Sequence, residues 1–127
     1  MKRSVLIVDD DMVARKLIVR LLEDTLTQEV KLIEAQDGQE ALDRLNHHSI
    51  DVLVTDIFMP KVNGFNLTIQ AKETVPGMRT IAFTSESNLT SKTRNLLNLA
   101  QNSGADYAIT KESLPETLPS LVAKCLM

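Results

Sequence analysis

The stretch Val52-Leu53-Val54-Thr55-Asp56-Ile57-Phe58-Met59-Pro60 decides how we expect this chain to fold. Its first four residues are apolar or β-branched, which is typical of a buried strand, and Pro60 stops further strand pairing. The predicted strand therefore delivers the Asp56 carboxylate to its carboxyl end. A second stretch, Val5-Leu6-Ile7-Val8-Asp9-Asp10, follows the same pattern, because it is an apolar run that ends on acidic residues.

The acidic residues that end these two runs predict a metal site. If both runs are parallel strands of one sheet, Asp9, Asp10 and Asp56 meet at its carboxyl edge. At about 4 Å and an effective dielectric near 20, each like-charged pair would repel by about 4 kcal/mol, so the cluster calls for a cation. Carboxylate oxygens without a nearby His or Cys suit Mg²⁺, which often bridges to a phosphoryl group.

Composition limits the class of protein. The 127 residues, of which 43% are hydrophobic and 24% are charged, suit one compact domain over residues 1–127. No apolar run approaches the length of a membrane span and the start does not resemble a signal peptide, so we expect a cytoplasmic protein. A net charge of −3 with scattered basic residues predicts no binding to nucleic acid or to a membrane surface. The single cysteine, Cys125, excludes an intrachain disulfide and is expected in the core.

Strand-like and helix-like patterns alternate along the whole chain. The predicted strands cover residues 5–8, 30–33, 52–55, 80–83 and 107–109, and the helices that follow them carry, in order, Leu17, Leu42, Leu67, Leu97 and Leu121. In the first helix, the pattern places Met12, Val13 and Leu17 on the apolar face and Arg15 on the other face. Five strands alternating with five helices predict an open, parallel, doubly wound α/β sheet.

Ligands of doubly wound sheets bind outside the carboxyl ends of the strands. Asp9, Asp10, Asp56, Thr84 and Lys111 all follow or end predicted strands, so we expect them to share one pocket. A carboxylate can attack phosphorus and form an acyl phosphate, and Asp56, at the tip of the middle strand, is the best placed to do so. The Lys111 ammonium and the Thr84 hydroxyl would then stabilise the phosphoryl oxygens.

These motifs resemble the receiver domain of two-component response regulators, of the chemotaxis-regulator type, over essentially the whole chain. The resemblance implies the flavodoxin-like strand order 2-1-3-4-5. It implies that Asp56 accepts a phosphoryl group from a phosphohistidine of a sensor histidine kinase or a histidine phosphotransfer protein. It also implies that the main-chain carbonyl of Phe58 joins Asp9, Asp10 and Asp56 as a ligand to Mg²⁺.

The resemblance further implies a signalling role and not that of a conventional turnover enzyme, although self-phosphotransfer and autodephosphorylation belong to the family. Phosphorylation would switch the surface of the fourth helix, the fifth strand and the last helix, where a downstream protein or a second copy of the chain would bind. Phe58 and Glu86 lie where the family tunes its dephosphorylation rate.

The chain departs from the family pattern beside the lysine. Family members usually have a proline there in a cis peptide, whereas Glu112 follows Lys111 here, and a cis bond without proline costs about 2.5 to 4 kcal/mol, which favours trans. Ala108 stands where the family commonly has a switching aromatic residue, and Tyr107 is expected to face the opposite side of the strand.

Three other interpretations remain open on the sequence. Asp10 or Asp11 could serve only as an N-cap of the first helix. The run Asp9-Asp10-Asp11-Met12-Val13 also fits the D-x-D-x-[TV] signature of haloacid-dehalogenase-type phosphatases, in which Asp9 would be the nucleophile and Asp11 the acid. The departures at Glu112 and Ala108 would suit a pseudo-receiver that binds a partner without being phosphorylated.

Overall fold

The computed structural model describes residues 2–59, 62–85, 87, 98, 102 and 104–127. The strands are β1 (Arg3–Val8), β2 (Val30–Ala35), β3 (Val52–Asp56), β4 (Arg79–Thr84) and β5 (Tyr107–Thr110). The helices in these ranges are α1 (Met12–Thr25), α2 (Gly38–His47), α3 (Gly64–Thr74) and a last helix (Leu114–Cys125), which follows a 3-10 turn at Lys111–Ser113. In the described ranges, no helix combines the length and the apolar character that a membrane crossing requires.

The strands form one parallel sheet in the order β2-β1-β3-β4-β5. This confirms the predicted doubly wound architecture and the order 2-1-3-4-5. The order reverses at β1, because β1 pairs with β2 on one side and with β3 on the other. The predicted fourth helix, which would carry Leu97, falls on residues outside the described ranges.

Each face of the sheet packs against a different helix layer. Val5 and Ile7 of β1 belong to the core cluster that includes α1 and the last helix, whereas Leu6 and Val8 belong to the cluster that includes α2 and α3. Successive residues of a strand point to opposite faces, so a central strand of such a sheet must be apolar throughout. This is why the two uninterrupted apolar runs occupy the middle of the sheet. Cys125 is buried in the first of these clusters, as expected.

Polar side chains fix the start of three helices at the carboxyl edge of the sheet. Asp11 accepts hydrogen bonds from the main-chain nitrogens of Val13 and Ala14, at 3.0 and 3.4 Å. Asp37 and Asn63 cap α2 and α3 in the same manner. An N-cap of this kind stabilises a helix by roughly 1 kcal/mol. The capping interpretation therefore holds for Asp11.

The N-terminal half of the first helix is more exposed than the sequence pattern predicts. Met12, Val13 and Leu17 are 62%, 64% and 65% exposed, and only Ile18 and Leu22 of this helix are fully buried. The Arg15 side chain, predicted on the solvent face, is 12% exposed. Arg15 is covered because it donates hydrogen bonds to the Asp9 carbonyl and to the Glu34 carboxylate at the neighbouring strand ends.

Gly64 allows α3 to start directly against the end of β3. Its nitrogen donates a hydrogen bond to the Ile57 carbonyl at 2.9 Å. A Cβ atom built on Gly64 would lie 1.9 Å from the Asp56 carbonyl oxygen and 2.7 Å from the Ile57 Cα. Because these are backbone atoms, a side chain at this position would displace the strand end that carries Asp56.

We therefore expect Gly64→Ala to lower the free energy of unfolding by about 2 kcal/mol or more, in spite of the better helix propensity of alanine. Urea denaturation followed by circular dichroism measures this. Gly77→Ala is the matched control, because a Cβ atom there meets nothing within 4 Å. The control should change stability by less than about 0.5 kcal/mol, and an equal effect of the two substitutions would contradict the prediction.

Candidate functional site

Three carboxylates converge where the strand order reverses. Asp9 directly follows β1 and Asp56 ends the adjacent strand β3. Carboxylate oxygens of Asp9, Asp10 and Asp56 lie within 4.8 Å of one another. Asp9 is 0% exposed and Asp56 is 8% exposed, whereas Asp10 is open to solvent. The sheet therefore brings together acidic residues that lie far apart in the sequence, as the apolar runs predict.

Lys111 reaches into the same pocket from the end of β5. Its Nζ lies 3.2 Å from Asp9 Oδ2 and 3.8 Å from Asp56 Oδ2. Its ammonium also lies over the Phe83 ring, 5.6 Å from the ring centroid. The peptide bond to Glu112 is trans, as favoured from the sequence. The Glu112 carboxylate accepts a hydrogen bond from Ser85 Oγ at 3.2 Å, which links the segments that follow β4 and β5.

Burial controls the protonation of the pocket. Burial, and then the neighbouring Asp9 carboxylate, raise the pKa of Asp56 from 3.8 to about 6 against the opposing attraction of Lys111. Burial also raises the pKa of Asp9. Burial disfavours the charged form of Lys111, but attraction from Asp9 and Asp56 outweighs it and raises the pKa of that ammonium. The ionised form of both buried carboxylates is therefore energetically unfavourable, and a cation in the pocket would stabilise it.

Two buried polar atoms of the site have no hydrogen-bond partner among the described residues. They are Asp9 Oδ2 and Thr84 Oγ1. Lys111 is near Asp9 Oδ2, but it offers charge attraction without an aligned hydrogen bond. An unpartnered carboxylate oxygen suits a cation, and an unpartnered hydroxyl at the end of β4 suits an anionic oxygen. The residues present therefore fit Mg²⁺ together with a phosphoryl group.

The loop after β3 closes one side of the pocket. The Phe58 nitrogen donates a hydrogen bond to Asp56 Oδ1 at 3.2 Å, while the Phe58 side chain is 41% exposed. This bond leaves Oδ2 as the Asp56 oxygen that faces Lys111. The assignment of the Phe58 carbonyl as a metal ligand stays a prediction, and Glu86 lies outside the described residues.

Arg15 is a residue of this site that the sequence analysis misplaced. Its Nη1 donates to the Asp9 carbonyl at 2.8 Å and its Nε donates to Glu34 Oε1 at 2.9 Å. A helical side chain leans toward the N-terminus of its own helix, and α1 starts at the site. The sequence therefore held a signal for this role, because Arg15 lies in the first turn of a helix that follows an acidic strand end.

As the sequence predicts, Ala108 occupies the position of the family's switching aromatic residue, and Tyr107 faces the other side of the sheet. Tyr107 packs on the core cluster of α1 and the last helix, and the Lys124 ammonium lies 5.7 Å from its ring centroid. Ala108 pairs with Ala82 on the opposite face of the sheet. Ala108 therefore offers no aromatic ring to the Thr84 side of the sheet.

The fold and the site together define a class of protein, namely a doubly wound α/β domain with an acidic pocket at its strand ends. Residues 5–123 match the sequence model of the response regulator receiver domain. The chain therefore belongs to the response regulator receiver domains of two-component systems.

Relatives and solved structures agree with this assignment. The gliding motility regulatory protein of Myxococcus xanthus is 35% identical over 112 residues, which cover 87% of this chain and 13% of that protein. The DNA-binding transcriptional regulator NtrC of Proteus hauseri is 33% identical over 118 residues, which cover 92% of this chain and 23% of that protein. The CheY-like receiver domain structure from Methanospirillum hungatei has a TM-score of 0.84 and 25% identity, and the match covers 99% of this chain and 94% of that one. The chain thus spans only a small part of the length of these two relatives.

The raised pKa of Asp56 predicts how stability depends on pH. The folded chain holds the Asp56 proton up to a pKa of about 6, whereas 3.8 is the ordinary value expected in the unfolded chain. In metal-free buffer, this group therefore stabilises the fold at low pH and that contribution is lost as the pH rises from about 4 to about 6.

Asp56→Asn removes this titrating group, so the variant should be more stable than the wild type by on the order of 1–3 kcal/mol above pH 6 and similar to it below pH 4. Urea denaturation across this pH range measures the gap. Added Mg²⁺ should narrow it by stabilising the wild type. Parallel pH profiles of the two proteins would be the contrary result.

Proposed function

We propose that this domain is a phosphorylation-activated switch in which Asp56 accepts a phosphoryl group. The observation that carries this proposal is the pairing of Asp56 with Lys111, at 3.8 Å, inside a cluster of carboxylates at the strand ends. The donor is a phosphohistidine of a sensor histidine kinase or of a histidine phosphotransfer protein. A cytoplasmic location and one domain over residues 1–127 are part of the same proposal.

Each residue of the site has its own role in the proposed phosphoryl transfer. An Asp56 carboxylate oxygen attacks phosphorus, the P–N bond breaks, and its electron pair stays on the imidazole nitrogen. Lys111 and Thr84 stabilise the charge on the phosphoryl oxygens. Asp9, Asp10, Asp56 and the Phe58 carbonyl would hold Mg²⁺, which when bound offsets the negative charge of the carboxylates and of the phosphoryl oxygens.

Phosphorylation would then change the surface of the domain. The buried Thr84 hydroxyl gains a phosphoryl acceptor, and Lys111 exchanges part of its pairing with Asp9 for the new anion. Shifting a two-state equilibrium from 1:99 to 99:1 requires about 5.5 kcal/mol of differential stabilisation, which a few charge-assisted contacts supply. The responding surface is that of the fourth helix, β5 and the last helix, where a downstream protein or a second copy binds.

The phosphatase alternative is less consistent with the geometry. Asp9 is 0% exposed and its Oδ1 accepts a hydrogen bond from the Asp11 nitrogen at 2.9 Å. Asp11 is engaged as the N-cap of α1, so it does not stand as a free general acid. Asp56, by contrast, ends a strand at the open pocket beside Asp10 and Lys111.

Acetyl phosphate tests the proposed chemistry directly. With Mg²⁺, we expect the wild type to gain the mass of one phosphoryl group and Asp56→Asn to gain none. Asp43→Asn is the matched control, because this exposed aspartate lies on α2 away from the pocket and should leave uptake unchanged. An unmodified wild type that also fails to bind Mg²⁺ would instead support a pseudo-receiver. Turnover of a phosphate monoester that is lost in Asp9→Asn but kept in Asp56→Asn would support the phosphatase.

The surface beside Lys111 suggests how a protein donor reaches Asp56. A groove of about 590 Å³ lies on the surface between α1 and the start of the last helix. Its lining includes Leu17, Leu21, Leu114, Pro115 and Lys111. Met12, Val13 and Leu17 are exposed on the same helix. Lys111 lines the groove and also lies 3.8 Å from Asp56, so the groove lies next to the site. We therefore assign this apolar surface to the phosphohistidine donor.

Leu17→Asp tests this assignment without altering the pocket. We expect it to slow transfer from a phosphorylated histidine phosphotransfer domain by about tenfold, as for a central apolar contact of an interface, and to leave uptake from acetyl phosphate unchanged. The donor is chosen from a panel for its transfer to the wild type. Ile69→Asp, at an exposed apolar position on α3, is the control and should keep the wild-type rate. Equal rates for Leu17→Asp and the wild type would refute the assignment.

A further inference from the structure

Arg15 joins the carboxyl end of β1, where the acidic pocket lies, to the neighbouring strand β2. Its guanidinium donates to the Asp9 carbonyl after β1, at 2.8 Å, and to the Glu34 carboxylate on β2, at 2.9 Å. The two bonds use different nitrogens of a planar group, so they fix its position and its orientation. The side chain is 12% exposed, which makes it unlike an ordinary surface arginine.

The Asp9 carbonyl belongs to the peptide that leads into Asp10. The nitrogen of Asp9 is held by the Ala35 carbonyl at 3.3 Å, so Arg15 completes the anchoring of Asp9 on its carbonyl side. A fixed Asp9–Asp10 peptide sets the direction in which the exposed Asp10 carboxylate leaves the chain. Arg15 therefore bears on the geometry of the acidic pair although its hydrogen bonds avoid both carboxylates.

Glu34 in turn holds Arg15. Its second oxygen pairs with Lys16 Nζ at 2.8 Å, and its own carbonyl accepts a hydrogen bond from Arg44 Nε at 3.3 Å. Although burial acts against it, pairing with Lys16 and Arg15 lowers the pKa of Glu34 and keeps the carboxylate charged. Glu34 of β2, itself contacted by Lys16 of α1 and Arg44 of α2, thus holds the arginine in place.

We propose that Arg15 is a positioning residue that preorganises Asp9 and Asp10 for the divalent cation. The inference rests on the proposed function, because it assumes that the pocket binds Mg²⁺. Groups that orient metal ligands commonly change metal affinity by 10–100-fold when removed.

The direction in which the Mg²⁺ affinity changes when Arg15 is replaced distinguishes a positioning role from a purely electrostatic one. Arg15 is a cation close to a cation site, so a purely electrostatic role predicts that its removal tightens Mg²⁺ binding. A positioning role predicts the opposite. Lys16 reports the effect of removing a positive charge without removing the bond to the Asp9 carbonyl, because it pairs with the same Glu34 carboxylate from the same helix and is 59% exposed.

The test is isothermal titration calorimetry of Mg²⁺ with the full chain at neutral pH, with the backbone shifts of Asp10 as a second readout. We expect Arg15→Met to weaken Mg²⁺ about tenfold, and Lys16→Met to leave the affinity within about twofold of the wild type or to tighten it. Equal or tighter binding by Arg15→Met, or an equal loss in Lys16→Met, overturns the proposal.

Arg15→Lys decides the question if Arg15→Met does not fold. It keeps the charge, but a single ammonium cannot reproduce the two-nitrogen bridge, so we expect Mg²⁺ to weaken by at least about threefold. Unchanged affinity overturns the proposal. Absence of Mg²⁺ binding in the wild type would overturn both this inference and the proposed function, whereas normal binding by wild type and variants alike would overturn the inference alone.

Discussion

The site depends on the burial of like charges at one edge of a parallel sheet. Asp9 and Asp56 lie on adjacent strands with almost no exposure, and Lys111 offsets only part of their charge. Burial raises the pKa of both carboxylates, and repulsion from Asp9 raises that of Asp56 further, so a negative charge is unfavourable at either position. A cation in the pocket would offset this negative charge, which links the proposed chemistry of the domain to its energetics.

The remaining structure keeps these charges in place. Two apolar clusters pack against the two faces of the central strands. Gly64 allows α3 to pack directly against the carbonyl of Asp56. Asp11 caps α1, which fixes the start of this helix next to the acidic residues Asp9 and Asp10. Because the scaffold is packed on both faces, the strand ends cannot separate to relax the repulsion.

The departures from the family pattern at Ala108 and Glu112 lie in β5 and directly after it. Glu112 replaces the usual proline with a trans peptide and bonds to Ser85, so the segment after β5 is joined to the segment after β4 by side chains. Ala108 leaves Thr84 without an aromatic neighbour on its own strand pair.

Local sequence was sufficient for the strands and for the strand-end placement of Asp9, Asp56, Thr84 and Lys111. These follow from apolar runs and from the rule that parallel strands end at one edge. The periodicity of the first turns of α1 misled, because an apolar pattern does not reveal the hydrogen bonds that hold Arg15 at the strand ends, so Leu17 is exposed while the Arg15 side chain is largely covered. The pKa of Asp56 and the bridge from Arg15 to Asp9 and Glu34 also required the tertiary structure, since burial and the meeting of separate strands are properties of the packed chain alone.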